Sequence, residues 1–168
     1  SVAFSAEPRR LSGVSGTVYA VERLDNSTNT LAAFDAATGS VLGVAVVGNR
    51  PIGVLSPNGS DKVYSADERS NQLSVVSKSD LADDGTATAK RIPMGSFPHH
   101  MTVSPNGRWL YVAEYGSHKI GVVDTRLDLR VDGFYASGNP AARTHAVWIT
   151  NDGKDLYARG VDPVLIRR

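Results

Sequence analysis

Ser104-Pro105-Asn106-Gly107-Arg108-Trp109-Leu110-Tyr111-Val112-Ala113-Glu114 is the stretch on which the fold turns. Asn-Gly tolerates the positive φ angles of a tight hairpin, so the first four residues read as a turn. The next seven mix aromatic and β-branched residues in near alternation, as a strand with two different faces does. Met101-Thr102-Val103 runs into the turn, so two antiparallel strands meet there. A third strand is expected at Lys119-Ile120-Gly121-Val122-Val123-Asp124 and a fourth at Arg130-Val131-Asp132-Gly133-Phe134-Tyr135. No helical period competes with these runs.

The unit recurs. Ser56-Pro57-Asn58-Gly59 and Thr150-Asn151-Asp152-Gly153 lie 48 residues before and 46 after Ser104-Pro105-Asn106-Gly107, and Tyr19, Tyr64, Tyr111 and Tyr157 follow at intervals of 45, 47 and 46. A four-stranded meander of about 46 residues has the size of one propeller blade. The chain therefore reads as all-β: a β-propeller segment of about three and a half four-stranded antiparallel blades in one repeat domain, residues 1–168. The blades are placed at about 1–48, 49–95, 96–138 and an incomplete 139–168. Leu31-Ala32-Ala33-Phe34-Asp35 and Leu73-Ser74-Val75-Val76-Ser77 match the third strand, residues 41–47 and Lys90-Arg91-Ile92 the fourth, and Pro163-Val164-Leu165-Ile166 a last third strand. Residues 79–88 read as a polar surface loop. Val2-Ala3-Phe4-Ser5 reads as an innermost strand of blade one or of a blade begun elsewhere.

Tyr19-Ala20-Val21-Glu22, Tyr64-Ser65-Ala66-Asp67, Tyr111-Val112-Ala113-Glu114 and Tyr157-Ala158-Arg159-Gly160 resemble the second-strand motif of the YVTN β-propeller family, within the WD40-like seven-bladed superfamily. The family's fourth-position Asn is replaced in every copy. The resemblance implies a propeller fold and a location outside the cytoplasm, periplasmic or secreted, with a cytoplasmic one left open. Related seven-bladed propellers include lactonase-like hydrolases. Fold alone does not assign function.

Charge and composition exclude several classes. Eighteen Lys and Arg against seventeen Asp and Glu leave a net charge of +1, which gives no field for nucleic acid or anionic lipid. Every apolar run is too short to span a bilayer. Without Cys there are no disulfides, thiolate metal sites or thiol nucleophiles. The first residues carry no signal-peptide pattern. Elbow, phosphate-loop and dinucleotide motifs are missing too. An open stack of blades exposes sheet faces. A homodimer closing a ring, since two copies hold about seven blades of 46 residues, or the remaining blades of a longer propeller, is the expected partner.

Meander geometry puts the start of strand one and the end of strand two on one rim. His99 and His100 start strand one of blade three, and His145 lies 46 residues after His99. Glu22, Asp67 and Glu114 end strand two in blades one to three, and Arg50 and Arg143 stand in loops entering strand one. The rim bearing His99 and His145 is the expected binding site for a small-molecule or protein ligand. Alternatively the same rim is a propeller enzyme's active site, metal-dependent or lactonase-like. His99, His145 and Glu114 have the chemistry to hold a divalent metal ion or to act as acid and base. Against this stand plainer roles: the carboxylates as backbone-amide caps, the histidines as half-buried strand residues, the arginines as solvated. His100 should point away from His99. His118 reads as rim or surface, and Trp109 and Trp148 as packing. Asn26-Ser27-Thr28 and Asn58-Gly59-Ser60 match the glycosylation sequon, the second being needed as a turn.

Overall fold

The computed structural model describes residues 16–23, 29–81, 86–136, 140–160 and 164–167. Their strands form four sheets. Blade one holds β1 (Thr17–Arg23), β2 (Asn29–Asp35) and β3 (Val41–Val46), joined by β7 (Thr86–Thr88). Blade two is β4 (Pro51–Leu55), β5 (Lys62–Asp67), β6 (Gln72–Ser77) and β8 (Lys90–Pro93). Blade three is β9 (Pro98–Val103), β10 (Trp109–Glu114), β11 (Lys119–Asp124) and β12 (Leu129–Tyr135). Blade four is β13 (Ala146–Ile149), β14 (Asp155–Arg159) and β15 (Val164–Arg167). Neighbouring strands within the blades pair antiparallel, except β3 with β7, as expected of a propeller segment. The turn glycines Gly59, Gly107 and Gly153 have φ of 70°, 73° and 73°, the conformation for which the turn sequence selects them. Val2-Ala3-Phe4-Ser5 and Asn26 lie outside the described residues.

The core is divided among the blade junctions, because the two-residue period of each strand sends alternate side chains to opposite neighbours. Val63 and Val76 meet Leu31, Ala33 and Ala45 of blade one. Tyr64, Ala66, Leu73 and Ile92 meet Met101, Leu110 and Val112 of blade three. Tyr111, Ala113 and Ile120 meet Val147, Leu156 and Ala158 of blade four. The recurring tyrosine therefore looks toward the next blade. Tyr64 carries a polar latch as well: its hydroxyl donates to Asp128 at 3.1 Å, and Lys62 Nζ reaches the same carboxylate at 2.8 Å. Asp128 takes a left-handed φ of 50° to present that side chain.

One expectation is corrected. Residues 79–88 are not simply a surface loop: β7 pairs in parallel with β3 and adds a strand to blade one. Ala87 is buried between exposed Thr86 and Thr88, a short half-buried strand pattern. Leu81 is buried in the junction of blades one and two. Its backbone crosses so close to Gly43 that a Cβ there would collide with the Leu81 carbonyl, so position 43 needs the one residue without a side chain.

Candidate functional site

β9 and β13, which open blades three and four, touch one another. The start of β9 carries His99, and His145 immediately precedes β13. Their ring centroids lie 4.2 Å apart, at 48°. Tyr115, just past β10, completes an aromatic triangle, 6.3 Å from the His99 ring and 5.6 Å edge-on from that of His145. The main chain pins His145, whose N–H donates to the Arg159 carbonyl at 2.7 Å. Arg143 stacks its guanidinium 5.0 Å above the Tyr115 ring and donates from Nη1 to the phenol oxygen at 2.6 Å. That oxygen accepts from Arg143, which leaves the phenol proton free for another acceptor.

Burial holds His99 below the ordinary imidazole range, and the neighbouring His145 lowers it further against a raising contribution from Glu68. His99 is thus neutral at neutral pH. His100 turns away, as expected: its ring lies 5.3 Å from that of Trp148, with Nδ1 3.5 Å from the Val147 N–H. His118 Nδ1 donates to the Pro140 carbonyl at 2.9 Å, tying a hairpin to the loop that enters blade four. Trp109 packs at the junction of blades three and four beneath the Arg108 guanidinium, while Trp148 is exposed.

The carboxylates take a different place. Asp67 is wholly buried and accepts from Gly48 N–H at 2.9 Å, Ser65 Oγ at 2.7 Å, Ser74 Oγ at 2.6 Å and Gln72 Nε2 at 3.2 Å. Burial raises its pKa against those four hydrogen bonds. Glu114, also wholly buried, accepts from Gly95 N–H at 2.9 Å and from Arg130 at 3.0 Å through Nε and 3.2 Å through Nη2. In both blades the acceptor lies nineteen residues after its glycine, and the strand alternation turns it toward the preceding blade. These two are amide clamps between blades. Glu22, the residue before the last of β1, lies opposite Thr30 and is half-buried. Arg50 pairs with Glu68, Nε to Oε2 at 3.0 Å and Nη1 to Oε1 at 3.3 Å.

The structure therefore brings together His99, His145 and Arg143, and gives Glu114, Asp67 and Arg50 other partners. Among the described residues no three His, Asp or Glu side chains assemble as a metal site needs, and both oxygens of Glu114 face Arg130. His99, His145 and Glu114 do not fit a metal ion together. Tyr115 and Glu68 were missed by the sequence reading, yet each follows a motif carboxylate by one residue. Extending the repeat by one position reaches both.

Three solved structures resemble the chain in fold. A putative 6-phosphogluconolactonase from Bacteroides fragilis superposes with a TM-score of 0.71 at 17% identity, over 90% of this chain and 50% of that one. The periplasmic gluconolactonase of Pseudomonas aeruginosa gives 0.66 at 18% identity, over 89% and 49%. Hydrazine synthase of Kuenenia stuttgartiensis gives 0.68 at 24% identity, over 82% and 43%. The chain thus spans about half the length of each of these three structures. No curated protein sequence matches it. The propeller expected from the repeat is what these likenesses share. The model of the seven-bladed β-propeller lactonases matches residues 15–166, nearly the whole sequence, and the chain belongs to that family.

Proposed function

We propose that the protein is a lactonase that opens its substrate at the His99, His145 and Tyr115 rim. The observation that carries this reading is the half-buried His99 imidazole, 4.2 Å from the His145 ring and 6.3 Å from that of Tyr115, whose phenol oxygen is held by Arg143. Family membership favours hydrolysis over the ligand-binding module that the sequence put first.

In the proposed step the neutral His99 imidazole takes a proton from water as the water oxygen bonds to the lactone carbonyl carbon. Tyr115, held by Arg143, donates to the oxygen where negative charge develops. The ring C–O bond then breaks, and the imidazolium returns its proton to the leaving alkoxide. The product is a hydroxy acid, whose ionisation releases one proton per turnover. His145 packs against His99 and disfavours its charged form.

The family's ring has seven blades; a second copy of this chain or the remaining blades of a longer propeller is proposed to complete it. An extracytoplasmic location belongs to the same proposal, supported by the periplasmic gluconolactonase likeness. Among the described residues no helix is long and apolar enough to cross a membrane. The test is acid release from δ- and γ-lactones in weakly buffered solution. Release proportional to protein and saturating with lactone is expected; release at the buffer rate overturns the reading.

A further inference from the structure

Two hairpins of the chain carry the same tetrapeptide, Ser-Pro-Asn-Gly, at residues 56–59 and 104–107. Their glycines share a left-handed backbone, with φ of 70° and 73°, and both asparagines are exposed. The hairpins differ in length. Tyr111 follows Ser104 by seven residues and Tyr157 follows Thr150 by the same seven, whereas Tyr64 follows Ser56 by eight. The two shorter turns are tied in the same way. Asn106 Oδ1 accepts from Ser104 Oγ at 2.7 Å and from the Arg108 N–H at 3.1 Å, and the Gly107 N–H donates to the Ser104 carbonyl at 2.8 Å. In blade four Asp152 Oδ1 accepts from Thr150 Oγ1 at 2.6 Å and from the Lys154 N–H at 3.1 Å, with the Gly153 N–H on the Thr150 carbonyl at 2.9 Å. The longer turn of blade two is tied differently. There the Ser60 N–H donates to the Pro57 carbonyl at 3.1 Å, and Ser60 Oγ accepts from the Lys62 N–H at 3.1 Å. Among the described residues, neither the Asn58 side chain nor the Gly59 N–H has a hydrogen-bond partner.

We infer that Asn58 is a site of spontaneous deamidation and that the turn around Asn106 protects Asn106 from the same reaction. The Gly59 nitrogen bonds to the side-chain carbonyl carbon of Asn58 and gives up its proton to solvent. The side-chain nitrogen takes up a proton from solvent and leaves as ammonia, so a five-membered succinimide ring remains. Water then adds to either ring carbonyl and breaks its bond to the ring nitrogen, which recovers a proton. Opening on one side leaves an aspartate at position 58, and on the other an isoaspartate whose main chain runs through the former side chain. No side chain on Gly59 obstructs the first step, and both reacting groups are untied. At Asn106 three hydrogen bonds hold the same groups and must open first. The product matters for charge on the turn rim, opposite the rim of His99. Asn58 lines a recess of about 250 Å³ between blades two and three with Arg108 and Arg126, and no acidic residue lines it. Asp124 already pairs with Arg108, so the new carboxylate is placed to meet Arg126.

The experiment is incubation of the folded full chain in neutral to mildly alkaline buffer, with samples digested over time. Mass spectrometry and chromatography of the two Asn-Gly peptides then count aspartate and isoaspartate at each. A parallel incubation in concentrated guanidinium chloride removes the fold. In the folded chain Asn58 should convert at least about tenfold faster than Asn106, because several hydrogen bonds must open before Asn106 reacts. In denaturant the two rates should come within about threefold of each other, since both sites keep the same four residues and lose their turns. Ser104→Ala removes one tie on Asn106 and should raise the rate there by about threefold or more, leaving Asn58 unchanged. If that variant does not fold, the wild-type comparison decides alone. Folded rates less than tenfold apart, a gap in denaturant larger than threefold, or an unmoved Asn106 rate in folded Ser104→Ala overturns the inference.

Discussion

Replacing His99 and His145 together by alanine is expected to lower the rate of lactone opening by at least about a hundredfold, the usual contribution of a positioned acid and base. The fold should survive. Neither imidazole belongs to the three buried clusters that join the blades, and both rings sit on the rim beside Tyr115. The melting temperature should therefore stay within a few degrees of wild type, the range for changes that leave the core intact. His99→Ala alone should cost nearly as much as the pair, because the proposed base is one imidazole, and the other only adds to the burial that disfavours its charged form. Kinetics with a melt for each variant checks this. A double variant that keeps wild-type turnover, or loses turnover only by unfolding, contradicts the assignment.

Glu114→Ala is expected to do the opposite, destabilising the protein by about 3 kcal/mol, because removing one partner of a buried ion pair strands the other. Glu114 is wholly buried. Its loss leaves the Gly95 N–H and the Arg130 guanidinium without their acceptor. For a chain of this length such a loss lowers the melting temperature by roughly 6–12 °C. Below that temperature the remaining folded protein should keep its turnover, since Glu114 serves the junction of blades two and three and the proposed chemistry lies between blades three and four. Chemical denaturation gives the first quantity and an assay well below the melt the second. A stable Glu114→Ala protein with no activity would return Glu114 to the active site.

The repeat made the blades legible because each copy spells its own hairpin, an Asn-Gly or Asp-Gly turn followed by a Tyr in fixed register. It could not show β7. A parallel pair has no turn joining its strands, and Thr86–Thr88 finds its partner about 40 residues earlier in Val41–Val46. His99 and His145 were legible as a pair because the 46-residue spacing puts them at the same height on neighbouring blades. The carboxylates shared that register but not that role. Strand alternation turns Glu114 to the side of Leu110 and Val112, toward blade two, where the Gly95 amide and Arg130 meet it. Arg130 lies on another strand, and no spacing within the motif announces that contact. Gly160 was read as a departure from the motif, and the clamps at Asp67 and Glu114 show what a carboxylate does at that position in the other copies.

The pH dependence of lactone opening between about pH 4.5 and 9, corrected for the spontaneous reaction, tests the neutral imidazole most directly. The reacting form of His99 is the unprotonated one, so kcat/KM rises with pH through the pKa of His99 in the free enzyme and then levels off. Burial and His145 hold that pKa below the ordinary 6.5. The account predicts a rising limb with its midpoint below 6.5 that disappears in His99→Ala. A rate independent of pH across this range, or a midpoint at or above 6.5, would contradict it.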